Sequence, residues 1–289
     1  MAFIAAQWAA IGACAALGVW SGSWLVTALC VVVIATRQHA LLVMLHDAAH
    51  YSLSANRKLN DLVGALFCAF PFSVSMRRYR ANHLAHHRYA NTQADPDLPD
   101  NTAPASLGGL AKTLAADLCF LSIPNYLRRT GKFGVLGIFR EKGAGWWTER
   151  AEFLSFLLVA VSLVAWFDLW KPVVLYWIVP LFSVLQVILR ARGYSEHAGR
   201  MDEQDEILQS RTIDAGALER FLLAPGNVNR HLEHHLYPSI PFFNLEKVHD
   251  LMVAQPQLKA RLVPSQGYVG ASAAPRSAFG EIYRAGSTA

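Results

Sequence analysis

The chain contains apolar stretches that are too long and too free of charge for the interior of a small soluble domain. No charged residue occurs from Phe153 to Phe167 or from Val173 to Leu189. Over the whole chain, 53% of the residues are hydrophobic and 16% are charged, and the mean hydropathy is +0.25. Soluble domains carry about 25% charged residues. The sequence therefore predicts a protein whose main solvent is the lipid bilayer.

Four apolar segments occur in two pairs, and a short polar turn separates the members of each pair. The first turn reads "SGS" and the second reads "DLWKP". Each pair is predicted to form a helical hairpin. No basic segment precedes the first apolar run, which we therefore interpret as a span rather than as a cleaved signal peptide. The predicted transmembrane helices cover about residues 3–20, 24–50, 151–168 and 172–193.

The distribution of lysine and arginine predicts the orientation of these helices. Lys171 is the only basic residue in the two turns, whereas many basic residues lie at the opposite ends of the helices. Because basic residues favour the cytoplasmic side, both turns should face away from the cytoplasm. Helices that leave Trp24 and Val173 reach His46 and His197 after about one hydrocarbon thickness. We expect a multi-pass protein of a bacterial inner membrane, all-α, with a cytoplasmic helical cap.

Charge and cysteine content exclude other classes. The net charge of +5 comes from basic residues that border apolar segments, not from a stripe interleaved with aromatic residues. The sequence therefore predicts no nucleic-acid partner. Four cysteines occur singly, without a CxxC pair, and are expected to be packing residues. We expect one domain over residues 1–261 and a polar tail over residues 262–289.

Three short clusters hold eight of the 11 histidines. They read "HDAAH" at 46–50, "HLAHH" at 83–87 and "HLEHH" at 231–235. On a helix, spacings of three and four residues place the imidazoles of each cluster on one face. A tetrahedral ion takes four ligands and a haem takes one or two, so eight imidazoles indicate two metal ions. Redox-active iron fits this ligand type.

In order and spacing, the clusters resemble the three histidine boxes of the membrane fatty acid desaturase and hydroxylase family. The resemblance covers about residues 24–250 and includes "NTQADPD" after the second box and "HLYPSIPFFNL" after the third. It is greatest to the acyl-lipid desaturase branch. It implies a non-haem centre of two iron ions (Fe2+/Fe3+), O2 as co-substrate, and a long-chain apolar or acyl-lipid substrate.

The same resemblance implies nine iron ligands, because "YSEHAG" supplies a histidine that matches an additional family ligand. In the acyl-CoA desaturase branch an Asn stands four residues before that histidine, whereas this chain has Gly193, so the coordination of one iron is expected to differ. His39 and His249 lie outside the pattern. The implied ligands are His46, His50, His83, His86, His87, His197, His231, His234 and His235.

Acidic and amide residues beside the boxes are candidates to orient the ligands, because a metal-bound imidazole usually donates its other N–H to a carboxylate or carbonyl. For each acid the alternative is an ordinary solvated side chain. These candidates are Asp47, Asp95, Asp97, Glu196, Asn227 and Glu233. Four arginines are candidates to hold an anionic head group or an acidic electron donor, with membrane-side anchoring as the alternative. They are Arg77, Arg78, Arg80 and Arg88.

We expect an O2-dependent enzyme that introduces a double bond into the acyl chain of a lipid. The first alternative is a hydroxylase or ketolase of an alkyl, sphingoid, carotenoid or smaller apolar substrate. An alternative of another class is a non-catalytic metal-binding membrane scaffold, which would tolerate the loss of a box. The sequence has no "HPGG" haem motif. Electrons are therefore expected from a separate ferredoxin, rubredoxin or cytochrome b5-type protein.

Overall fold

The computed structural model describes residues 1–201, 203, 205–269 and 276–284. Their secondary structure is helical, and pairing between extended segments is limited to isolated β-bridges. The prediction of an all-α membrane protein is confirmed. The chain divides into two compact units: the first comprises residues 1–83 and 116–186, and the second comprises residues 84–115 and 187–289.

The first unit begins with a hairpin of two long helices, α1 (Ala2–Ser21) and α2 (Trp24–Ala49). Gly22 closes α1 in the left-handed conformation, with φ 59°, which glycine adopts at little cost. The helices pack together along their apolar faces. A partly buried polar contact joins them where Arg37 donates a 3.2 Å hydrogen bond to the Gln7 side chain. The predicted first hairpin is therefore present.

A broken helical segment follows α2. Helix α3 (Arg57–Val63) is capped by the Asn56 side chain and continues as a π-helical stretch (Gly64–Ala69) and a short 3₁₀ turn (Phe70–Phe72). The π-helical stretch packs on α2. Helix α4 (Met76–Tyr89) comes next and carries the second histidine cluster.

Several further helices of the first unit follow along the chain. They are α7 (Ile123–Thr130), α8 (Ala144–Trp166), α9 (Trp170–Val173), a π-helical stretch (Val174–Ile178) and α10 (Val179–Phe182). Asp168 adopts a positive φ of 50° in the turn between α8 and α9. Helix α11 (Val184–His197) continues the run after α10.

Three helical runs among the described residues are long and apolar enough to cross a membrane: Ala2–Ser21, Trp24–Ala49 and Trp170–His197. Helix α8 differs because Glu149, Arg150 and Glu152 lie in its first half. Its uncharged part, from Phe153 to Trp166, is shorter than the roughly 20 residues that a perpendicular span needs. Length and composition therefore support three of the four predicted spans.

The second unit consists of shorter helices. They are α5 (Leu98–Asn101), most of α6 (Leu107–Leu118), the end of α11, α12 (Ala217–Leu223), α13 (His231–Leu236), α14 (Leu245–Val253), α15 (Pro256–Lys259) and α16 (Ala278–Arg284). One apolar cluster includes Leu232, Val248 and Met252. Another joins Leu110 and Tyr194 to residues of α16, so part of the predicted tail packs in this unit.

Candidate metal centre

The first unit brings three histidines together at the end of α2. His46 lies in the last turn of this helix and His50 caps it, so their side chains are one turn apart. His83 on α4 meets them: its Nε2 is 2.8 Å from His50 Nε2, and its ring centroid is 4.4 Å from that of His46. The Tyr79 ring stacks on His83 with a centroid distance of 5.7 Å. Two sequence clusters therefore converge within one unit.

The second unit contains a group of four histidines whose ring nitrogens lie within 4.8 Å of one another. They come from three helices: His86 from α4, His197 from the end of α11, and His231 and His235 from α13. The Nε2 of His231 is 2.8 Å from Nε2 of His197 and 3.1 Å from Nε2 of His235. The histidine expected between the last apolar helix and the third box is thus part of this group.

The same unit also pairs the remaining two predicted ligands. His87 on α4 and His234 on α13 have their Nε2 atoms 3.0 Å apart. Because His86 and His87 are adjacent on α4, their side chains leave the helix in different directions. Their ring planes make an angle of 72°. Histidines of the second and third boxes therefore contact each other at two places in this unit, in the four-histidine group and in the His87–His234 pair.

The four-histidine group has the geometry of a metal site. Nitrogen ligands about 2.1 Å from one ion lie about 3.0 to 3.4 Å apart in octahedral or tetrahedral coordination. The Nε2 distances of 2.8 and 3.1 Å around His231 are close to that range. A neutral imidazole has one N–H, so its other nitrogen presents a lone pair. Several lone pairs directed at one point are what a divalent cation requires.

Comparison with known proteins places this arrangement in a family. The family model described as "Fatty acid desaturase" matches residues 22–265. The chain belongs to this fatty acid desaturase family. The match includes α2 and all three histidine clusters, and it begins directly after α1.

Relatives within the desaturase family act on different kinds of molecule, as their names indicate. Dihydrorhizobitoxine desaturase from Bradyrhizobium elkanii is 29% identical over 88% of this chain and 75% of its own length. A chloroplastic omega-3 fatty acid desaturase from Ricinus communis is 27% identical over 71% of this chain but only 49% of its own length. A beta-carotene ketolase from a Paracoccus species is 25% identical over 71% of this chain and 72% of its own length. The names of these relatives thus refer to an amino-acid derivative, a fatty acid and a carotenoid.

Burial keeps ligand candidates of this desaturase-family chain neutral. Desolvation lowers the pKa of His231 well below its usual value, with further lowering by neighbouring His235 and His197. Burial, followed by the Arg80 cation, lowers the pKa of His50 to about 4. Since a metal binds the deprotonated nitrogen, both rings are in the state required for coordination at neutral pH.

One of the predicted orienting acids directly contacts a ligand candidate. Asp95 accepts from His86 Nδ1 at 2.9 and 3.1 Å, and it also accepts the backbone N–H groups of Asn91 and Asp97. Burial alone would lower the pKa of His86, but the hydrogen bond and charge of Asp95 raise it overall. With Nδ1 donating to Asp95, the Nε2 lone pair of His86 is available to a metal.

Two other predicted acids lie near ligands without a short contact. Glu196 is bound by Arg192, and its Oε2 is 3.6 Å from His231 Nε2. Asp47 is buried, with Oδ1 3.7 Å from Nδ1 of the adjacent His46. These carboxylates contribute negative charge close to the ligand candidates.

Glu233 and Asn227 have different partners. Glu233 is fully buried, and its Oε1 is 2.6 Å from Nδ1 of His249, a histidine outside the three boxes. Asn227 donates a long hydrogen bond of 3.5 Å to the Phe242 carbonyl. The box pattern does not identify His249. The sequence signal that could have identified it is a histidine in an amphipathic helix shortly after the third box.

Replacing Asp95 with Asn should weaken metal binding about 10- to 100-fold, the usual loss when the partner of a ligating histidine is removed. The amide would no longer hold the His86 proton on Nδ1 as firmly. Asp97→Asn is the matched control and should have a smaller effect, because Asp97 contacts Asp95 through its backbone N–H. Metal titration against a competing chelator measures both variants. Equal affinity of Asp95→Asn and the unaltered protein would contradict this assignment.

Proposed function

We propose that this protein is an O2-dependent di-iron enzyme that introduces a double bond into the acyl chain of a lipid. The observation that carries the proposal is the buried four-histidine group in the second unit, which has the spacing of ligands to one ion. Membership of the fatty acid desaturase family supports the reaction class. Bound iron would supply the capacity to activate O2 and remove hydrogen from an unactivated C–H bond.

In this proposal the four-histidine group holds one iron. The other iron is held by His46, His50 and His83 of the first unit, while His87 and His234 of the second unit stay predicted ligands. The contacts of His83 with His50 and His46 at the end of α2 support this assignment.

The protein groups around the histidines would set up the site rather than react. Asp95 holds a proton on Nδ1 of His86, which directs the Nε2 lone pair inward. The Arg192–Glu196 pair places a carboxylate beside His231 without leaving either charge unpaired in a buried position. Burial of the rings also excludes water from the ligands.

An apolar substrate is supported by the lining of the first unit. A cavity of about 1180 Å3 opens among α1, α8 and the segment that follows α3. Its walls include Ile4, Trp8, Leu66, Phe67 and Phe156. Such a surface can accommodate hydrocarbon chains.

A second candidate is hydroxylation or ketolation of an alkyl, sphingoid, carotenoid or smaller apolar molecule. Two beta-carotene ketolases from Paracoccus, 25% and 24% identical, favour it. The name of the relative dihydrorhizobitoxine desaturase refers to a substrate that is not an acyl lipid. A non-catalytic scaffold is disfavoured, since it would not need all nine histidines in place. Either enzyme would receive electrons from a separate ferredoxin, rubredoxin or cytochrome b5-type protein.

We further propose that α8 completes a second hairpin and gives four spans, with both termini and the histidines on the cytoplasmic side of a bacterial inner membrane. The charged first turns of α8 would lie at the interface. Its aromatic residues Trp146 and Trp147 suit that position, because Trp is enriched at membrane–water interfaces. Arg150, which donates to the Ile138 carbonyl, would anchor the same end.

The metal content distinguishes this proposal from a single structural zinc. The purified protein should contain about two irons per chain, because nine imidazoles exceed the ligands of one ion. His87→Ala and His234→Ala should each abolish turnover while leaving membrane insertion intact. His39→Gln is the control, since His39 is buried but outside the three boxes. One zinc and no iron by elemental analysis would refute the di-iron assignment.

The product should be an alkene. Incubation of the reduced, iron-loaded protein with an electron donor, acyl lipids and 18O2 should yield lipid two mass units lighter, with the label in water. Mass spectrometry of lipid extracts makes the measurement. Oxygen label retained in an organic product would instead establish the hydroxylase or ketolase alternative.

Topology is testable with single cysteines in a chain whose four native cysteines have been replaced. Cysteine at Ser21, in the first turn, should react with an impermeant reagent added outside intact cells. Cysteine at Glu206, which is exposed, should react only after permeabilisation. The basis is the basic-residue asymmetry. Labelling of the Glu206 position from outside would reverse or remove the proposed orientation.

A further inference from the structure

The last turn of α2 is bound by a buried arginine on α4. Arg80 donates from Nε to the Ala49 carbonyl at 3.0 Å and from Nη2 to the Ala48 carbonyl at 2.9 Å. The final carbonyls of a helix need partners from outside its regular hydrogen bonds. Only 9% of the Arg80 surface is exposed. Its guanidinium therefore binds the part of α2 that lies between His46 and His50.

The guanidinium is itself fixed on several sides. Both carboxylate oxygens of Asp61 accept from it, and the Tyr51 ring lies beneath it at 3.9 Å from the centroid. Asn60, fully buried, donates to Asp61 at 3.0 Å and to the Ala48 carbonyl at 2.9 Å. Paired charge-assisted bonds of this kind hold an arginine in one geometry.

Arg80 also stands three residues before His83 on α4, so both side chains project from the same side of that helix. One end of this connection is the backbone that carries His46 and His50, and the other is the helix that carries His83. All of these residues belong to the first unit. The arginine thus joins the two helices whose three imidazoles converge.

We propose that Arg80, held by Asp61 and Asn60, is a positioning residue that fixes His46 and His50 relative to His83. This inference rests on the proposed function, in which these histidines hold one iron. Arg80 is then unavailable for the role suggested by its place in a basic sequence run, because its donors are directed inside the protein rather than toward an anionic head group or an acidic electron donor.

A lysine cannot reproduce this arrangement. Its ammonium is a single point donor, whereas the guanidinium reaches two carbonyls and a carboxylate in fixed directions. Arg80→Lys should therefore release the end of α2 while conserving charge. We expect its iron content to fall to about one per chain, with the four-histidine group still loaded. Asp61→Asn is a milder variant and should release iron to a chelator about ten-fold faster than the unaltered protein.

The matched control lies two residues away on the same helix. Arg78 also binds a carboxylate, Glu141, and donates to two carbonyls, those of Gly131 and Lys132 at 3.3 and 2.9 Å. Its partners belong to residues 131–141 and not to α2. Arg78→Lys should therefore retain the iron content and release rate of the unaltered protein. Circular dichroism and thermal unfolding report on folding in every variant.

The readouts separate this inference from the di-iron proposal. If the unaltered protein binds no iron, the proposed function fails. If it binds two and Arg80→Lys also binds two with unchanged release, the positioning role is refuted. If Arg80→Lys does not fold, Asp61→Asn decides: faster release from folded protein supports the role, and unchanged release refutes it. Loss of iron in Arg78→Lys to the same extent as in Arg80→Lys would also refute it.

Discussion

The structure depends on burying many imidazoles in a chain that is mostly apolar. A buried nitrogen without a partner costs about 1–3 kcal/mol, so a group of facing Nε2 atoms is unfavourable unless something satisfies the lone pairs. Around His231, two neighbouring Nε2 atoms approach within 3.1 Å. A bound cation would accept these lone pairs, so the cost would be removed and metal binding would be favourable. The folding of the helices that carry the ligands is then coupled to metal binding.

Several of the candidate histidines lie at the ends of helices, where the backbone also needs hydrogen-bond partners. His46, His50 and His197 all lie at the C-terminal ends of long apolar helices, where backbone carbonyls lack intrahelical partners. Arg80 supplies donors at the end of α2. Arg211 does the same at the end of α11, where it donates to the Ser195 and Ala198 carbonyls. Buried arginines therefore stabilise the turns that present the ligand candidates.

The sequence predicts the ligand histidines more fully than their surroundings. Spacings of three and four residues identify which imidazoles share a helix face, and uncharged length identifies helices such as α2. Neither pattern identifies partners across elements. Glu233 lies inside the third box, yet it pairs with His249 because α14 packs against α13. The role of Asp95 depended on a loop in which Asn91 adopts a positive φ of 61°.

The predicted spans also differ in how far the sequence alone identifies them. Charge and length predict α1, α2 and the run that ends in α11, because these properties are local. Helix α8 begins earlier than its apolar part, and its charged first turns are held by contacts such as Ser75 to Glu149 and Arg150 to Ile138. Arg80 was grouped by sequence with the exposed Arg77, and only tertiary contacts distinguish them.

The four-histidine group draws its members from α4, α11 and α13, which are far apart in the chain. Synthesis on the ribosome therefore provides His86 long before His231 and His235 exist. The helices that enter the bilayer first must remain inserted with incomplete ligand sets until the third box has emerged. If this group binds a metal ion, the complete ligand set becomes available only after the third box has been synthesised.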